Sequence, residues 1–447
     1  MADIRGLRPL QYNLARFGST VASDRIRLTD EPATGGRVGD LSDLACPPYD
    51  VISPALQREL AARSPRNAVR VELGEATNQH RSAARLLDAW REDGTLVRPD
   101  HDQLFGYRYA AARDASEFAV SGLLARVRLE PWGVSVRPHE RTLPGPKADR
   151  LSLLRSTHTQ LSPILMVYFD SKSRSDLLMA PAGADEWRAR DDDGLIHSLT
   201  ALGRNDRLAS MLSRHSLVVA DGHHRYETAL AYQAEVRSDP RLTDAPAGSL
   251  AADWIMAVLV NATVEPMDVR PTHRLLVGID RERLRSALTA SNPLFAALPF
   301  PPAQLGARLA ELRATDEPVF GVVLPGGEGW LLVGDVAAVG DRMRREAVSS
   351  AVAGLDLAIL HAVVLGDWLG IREAEVAAGE TLLYTRSEAE ALARVSRGEA
   401  SAALLVRPTE LAQLAAVARR GELMPQKSTY FYPKLLTGLA FHPLAED

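Results

Sequence analysis

Leu217-Val218-Val219-Ala220-Asp221-Gly222-His223-His224-Arg225-Tyr226-Glu227-Thr228-Ala229-Leu230 is the stretch from which the rest of the chain is read. An apolar, β-branched run stops at Asp-Gly, and a helical pattern starts at once, with Tyr226, Leu230 and Ala234 recurring at i, i+4 and i+8 on one face. Strand, glycine turn and helix N-terminus together make an anion cradle, because free N–H groups and the positive end of the helix dipole point at whatever sits there. Gly222 lets the backbone approach closely, and Arg225 has the forked donor geometry that suits a phosphate. Asp221 is placed either to cap the helix or to help hold a magnesium ion. An ordinary turn and cap would use the same residues, and adjacent His223 and His224 point in different directions, which makes them poor joint metal ligands.

Outward from this motif, the sequence reads as further buried strands at 162–170 (SPILMVYFD), 215–220 and 254–264. Alternating apolar and polar residues at 103–110 and 117–128 predict a hairpin. Helices are expected from Ser53-Pro54, where Ser is an N-cap and Pro a tolerated first residue, and at 80–93. The stretch 138–149 reads as a loop, and the Arg- and Asp-rich stretch before 215 as helix and loop. After about Leu276, helices at 281–289, 355–368, 388–396 and 408–420 alternate with strands at 318–324, 329–334 and 401–406. The proline pairs Pro47-Pro48 and Pro301-Pro302, with Pro99, are candidate joints. The expectation is a mixed α/β (α+β) chain of three regions, 1–100, 101–278 and 279–447.

Composition narrows the classes. The 447 residues are 46% hydrophobic and 24% charged, which describes a globular chain of more than one domain. No apolar run is long enough to span a bilayer, and the opening residues are charged from Asp3 onward, so a cytoplasmic protein is the default. Cys46 is the only cysteine, which excludes an intramolecular disulfide. With 57 acidic and 52 basic side chains, the net charge of −5 argues against a protein that wraps nucleic acid. Only Lys147, Lys172, Lys427 and Lys434 are lysines, so a lysine retained in this arginine-rich chain draws attention.

Two further clusters carry chemistry. Arg137-Pro138-His139-Glu140-Arg141-Thr142, followed by Gly145-Pro146-Lys147-Ala148-Asp149-Arg150, concentrates a general acid or base, His139 or Glu140, among cations. A solvated charged loop would have the same composition. Met424-Pro425-Gln426-Lys427-Ser428-Thr429-Tyr430-Phe431-Tyr432-Pro433-Lys434 combines two scarce lysines, hydroxyls and three aromatics, as a nucleotide contact would. A packed strand would also use Tyr-Phe-Tyr. Pro271-Thr272-His273-Arg274 is a weaker fourth candidate, a pattern more often found as a structural turn.

Taken with Pro47-Pro48-Tyr49-Asp50-Val51-Ile52, these segments resemble a prokaryotic family designated domain of unknown function 1015. More remotely, strand, Asp-Gly-His-x-Arg and helix are similar to the phosphate-binding motif of the ParB and sulfiredoxin superfamily, which includes partition-protein nucleotide switches and free-serine kinases. That resemblance implies a central phosphate-binding unit with additional N- and C-terminal α/β regions, a nucleotide (ATP or ADP) and magnesium, and a kinase acting on free serine or a similar hydroxylated metabolite. In the same scheme, Gly222, His223, His224 and Arg225 hold phosphate, and Asp221 assists magnesium. Glu140, or His139, is the base on the hydroxyl. Lys427, Ser428 and Thr429 contact the nucleotide from a C-terminal segment that closes over the site, and Arg141, Lys147 and Tyr430 face the substrate. The competing implication is a nucleotide-binding switch or adaptor without metabolite chemistry. Oligomeric state is not legible.

Overall fold

The computed structural model describes residues 1–19, 36–74, 78–111, 118–140, 145–172, 178, 181, 183–371, 375 and 381–444. Its mixed α/β fold divides into two units. The first comprises Met1–Pro138, Pro144–Met267 and Pro433–Asp447; the second comprises His139–Leu143 and Asp268–Tyr432. Pro47-Pro48, Pro99 and Pro301-Pro302 all lie inside units, whereas the chain crosses from one unit to the other after residues 138, 143, 267 and 432.

The first unit is built on a large mixed sheet. Trp254–Asn261 is its centre: every residue of this strand is buried, as a run apolar on both faces requires. On one side it pairs antiparallel with Ala119–Arg128, which continues the hairpin to Leu104–Ala111. On the other it runs parallel to Ile164–Tyr168, with Leu165 opposite Val258. Next comes Leu217–Asp221, antiparallel to Ile164–Tyr168, and beyond it the short strand Val136–Arg137. The helices Gly145–Thr157 and His223–Arg237 pack together. Met166, Val219, Tyr226, Ala229 and Ala257 share one buried core. Ser53 accepts from the Leu56 N–H and caps the helix Pro54–Arg63, as its sequence indicates.

Two readings of this unit are corrected. The stretch before 215 contains the strands Glu186–Arg190 and Leu195–Gly203, paired antiparallel around Asp191-Asp192-Asp193-Gly194. Gly194 has φ 86°, and Asp191 accepts from the Leu195 N–H, so the acidic run is a hairpin turn, and the expected helix is confined to Asp206–Leu212. The expected loop at 138–149 is also too long, because a helix begins at Gly145.

The second unit has a six-stranded sheet, antiparallel throughout, in the order Phe295–Pro299, Glu328–Gly334, Val319–Leu324, Ala402–Leu405, His273–Leu276, Leu382–Thr385. Leu275, Leu305, Val323, Val395 and Leu405 form its core. The helices Arg281–Thr289 and Glu388–Ser396 begin and end where the sequence indicates. His273-Arg274, read as a turn, instead opens a strand. Tyr430–Tyr432 pairs with Asp268–Arg270, and Phe431 is buried, so these aromatics are strand residues.

Candidate functional site

The strand Leu217–Asp221 ends at Gly222, which takes φ 96° and ψ 28° and leads into the helix His223–Arg237 with no side-chain cap. A Cβ on Gly222 would sit 2.5 Å from the Ile164 Cγ2, on the neighbouring strand. Backbone conformation and close approach thus both require glycine. Gly222→Ala is expected to lower stability by about 1–3 kcal/mol, more if Ile164 cannot shift. Urea unfolding measures it, and an unchanged midpoint would show that the turn tolerates a side chain.

Three charged groups meet at this turn. Asp221 Oδ2 accepts from Arg225 Nη2 at 2.7 Å, and Asp221 Oδ1 pairs with the Lys434 ammonium, 213 residues away in sequence. All three side chains are largely buried, Lys434 most of all at 8% exposure. Burial alone would push the Asp221 carboxyl up, but Lys434 and Arg225, with His223 nearby, hold it well below the usual carboxylate range. Arg225 donates through Nη1 to Ser162 Oγ (2.9 Å) and the Pro163 carbonyl (2.7 Å). The guanidinium expected to fork onto phosphate therefore clamps the helix start to the Ser162-Pro163-Ile164 segment. Asp221, expected as a cap or a magnesium ligand, spends each oxygen on a cation. That pairing does not fit a magnesium ligand, and among the described residues no group of three or more His, Cys, Asp or Glu side chains is placed to hold a metal ion.

The N-terminal segments join this cluster within the first unit. Arg150 lies over the Tyr49 ring at 4.4 Å and donates to the Glu72 carbonyl at 3.0 Å. Its remaining bonds go to Asp149, whose other oxygen meets His80 at 2.9 Å. Burial pushes the Tyr49 phenol up to about 12, against the attraction of Arg225 and Arg150. Pro47 to Ile52, the Asp221 turn and Lys434 thus converge although they are far apart in sequence. Lys147 pairs with Glu227 on the cradle helix, and His223 is buried, with the Trp132 ring 6.4 Å away. His224 is partly exposed.

The other predicted residues belong to the second unit. Glu140 bridges Met424 in parallel register, and its Oε2 accepts from the Ser428 N–H at 3.2 Å. His139 is fully buried, with Nε2 2.7 Å from Thr429 Oγ1. Ser428 Oγ donates to the Pro425 carbonyl at 2.6 Å, closing a turn on which Lys427 is exposed at φ 55°. Arg274, wholly buried, donates to the Gln426 and Lys427 carbonyls and so fixes this turn from beneath. Burial lowers its guanidinium to about 10, against the opposing pull of Tyr384 and Glu140. The Tyr430 ring carries Arg386 at 4.2 Å. Arg141 lies outside the described residues.

Lys434 is the residue of this cluster to which the sequence reading assigns no role, and its one signal is the scarcity of lysine in the chain. Lys434 follows the Tyr-Phe-Tyr strand and Pro433, where the chain re-enters the first unit.

Among solved structures, the chain is similar to a conserved hypothetical protein from Pyrococcus furiosus (12% identity, 70% of this chain and 92% of that one, TM-score 0.35). It is also similar to a free serine kinase in complex with AMP (11%, 69% and 86%, TM-score 0.36) and to SbnI with a C-terminal truncation from Staphylococcus aureus (12%, 69% and 84%, TM-score 0.32). These are distant likenesses. No curated protein matches the chain. A family model described as "Protein of unknown function (DUF1015)" matches residues 31–358, most of the sequence, and the chain belongs to that family.

Proposed function

We propose that the protein is a small-molecule kinase that moves a phosphoryl group from a nucleotide, ATP or ADP, to the hydroxyl of free serine or a similar metabolite. The observation that carries this reading is the buried Lys434–Asp221–Arg225 group at the uncapped start of the His223–Arg237 helix. The group stands beside a helix N-terminus, whose free N–H groups and positive dipole end suit a polyphosphate. Phosphoryl transfer asks a protein mainly for positioning and charge stabilisation. Backbone N–H groups of the 222–225 turn would hold phosphate oxygens, and Arg225 would shape the turn. The proton released by the acceptor hydroxyl would pass to the base that the sequence resemblance implies, Glu140 or His139. The roles of Glu140 as base, of Lys427, Ser428 and Thr429 as nucleotide contacts, and of Arg141, Lys147 and Tyr430 as substrate contacts rest on the sequence resemblance. Because Asp221 does not fit magnesium, no step is routed through a protein-held metal.

The test is incubation of the pure protein with ATP or ADP, supplied with magnesium, and a panel of hydroxylated metabolites, followed by mass spectrometry. A phosphorylated metabolite that accumulates with turnover is expected. Nucleotide binding by calorimetry with no product would instead favour a nucleotide-binding switch, and no binding would return the Asp221 turn to a purely structural role.

A further inference from the structure

Against one flank of the cradle helix the first unit holds a half-open cavity of about 60 Å³, lined by Glu72, Arg150, Ser162, Arg225 and Thr228 with an apolar wall that includes Leu154 and Ile255. Space of this size admits roughly four water molecules or a ligand of a few heavy atoms. Two of its lining groups have no hydrogen-bond partner among the described residues: Glu72 Oε2 and Thr228 Oγ1. Both side chains are almost wholly buried, at 2% and 4% exposure. Elsewhere on Glu72, the Tyr49 backbone N–H supports the carboxylate, Oε1 faces Arg150 at 3.6 Å, and the carbonyl accepts from Arg150 Nη1. Buried polar atoms are otherwise nearly always paired, so two orphans on one cavity call for a guest.

The chemistry of that guest follows from the lining. A buried carboxylate oxygen only accepts, and a cation that donates N–H satisfies it best. The Thr228 hydroxyl can donate or accept, which suits a partner hydroxyl. The apolar wall favours a short aliphatic link between the two. We propose that this cavity binds a small aliphatic amine that carries a hydroxyl, an amino alcohol or a hydroxy amino acid, with its ammonium on Glu72 and its hydroxyl on Thr228. Assigning it as the pocket of the phosphoryl acceptor rests on the kinase reading; the binding itself does not. Burial pushes the Glu72 carboxyl up while Arg150 and Arg225 pull it down, and a bound ammonium would act in the same direction as those arginines.

Calorimetry on the full chain without nucleotide tests this, using ethanolamine and L-serine as probes and glycerol, lactate and propylamine as comparators. Ethanolamine and serine should bind, glycerol and lactate should not, and propylamine should bind more weakly than ethanolamine. Glu72→Gln should weaken amine binding by at least about tenfold, the loss of one charge-assisted hydrogen bond. Thr228→Val keeps the shape and should weaken ethanolamine while sparing propylamine. A cavity that takes up no amine and holds water only, or that binds glycerol as well as ethanolamine, would overturn the proposal. So would a folded Glu72→Gln protein with unchanged affinity. If Glu72→Gln fails to fold, an unchanged ethanolamine-to-propylamine ratio in Thr228→Val has the same force. Amine binding without phosphorylated product would leave this site standing and remove the kinase reading; phosphorylation of glycerol or lactate with no preference for amines would do the reverse.

Discussion

Glu140→Gln is expected to lower the turnover of phosphoryl transfer by roughly 10² to 10⁴ while leaving nucleotide affinity nearly unchanged, the signature of a lost general base. The substitution suits the site because the Glu140 side chain accepts a hydrogen bond from the Ser428 N–H, and glutamine keeps an acceptor there. A glutamine carbonyl accepts that bond equally well, so the Pro425–Ser428 turn should survive. Arg274 also holds the Gln426 and Lys427 carbonyls and provides a second support, although the variant removes the attraction of Glu140 for its guanidinium. Turnover from initial rates and affinity from calorimetry separate the two effects. Normal turnover would move the base elsewhere, and a parallel loss of affinity would make Glu140 a binding residue.

The second large effect is on stability. Lys434→Met keeps the aliphatic length of the side chain and removes the charge, so Asp221 retains only Arg225. Losing one charge-assisted hydrogen bond to a largely buried carboxylate should cost about 2–3 kcal/mol at neutral pH. The acid limb should respond as well. In the native protein the Asp221 carboxyl lies below its ordinary value of 3.8, so its contribution is complete above about pH 4 and fades as acid approaches the lower folded value. Removing Lys434 brings the folded value back toward the ordinary one, and the contribution both shrinks and disappears at a higher pH. Urea unfolding at pH 7 and an acid titration followed by circular dichroism would show the two changes together. A variant as stable as the parent at both ends would mean that the Lys434–Asp221 pair only offsets its own desolvation.

What the sequence made legible was local. The Leu217–Asp221 strand and the helix after it were readable because a β-branched run ends at Asp-Gly, a change of period within a few residues. The helices at 281–289 and 388–396 were readable from their helical pattern, and the structure shows them capped by Asp280 and Ser387. Glu186–Arg190 was not, because Glu-Trp-Arg-Ala-Arg has the charge density of a surface helix or loop. Its strand character comes from pairing with Leu195–Gly203, which buries Trp187, Arg188 and Ala189. Lys434 was not legible as a partner of Asp221 for a similar reason, because only long-range pairing brings them together.

The order of the segments has a consequence for how the protein is made. During synthesis, everything that forms the second unit, through Tyr432, emerges before Pro433, and only then does the strand-and-charge partner set of the first unit become complete. Until that point Asp221 has Arg225 but not Lys434, and Thr159–Gln160 lacks its partner strand His442–Pro443. A chain cut after residue 432 would therefore keep the segments of the second unit and lack the final closures of the first, so the part of the first unit made earliest is completed only by the segment that follows Pro433.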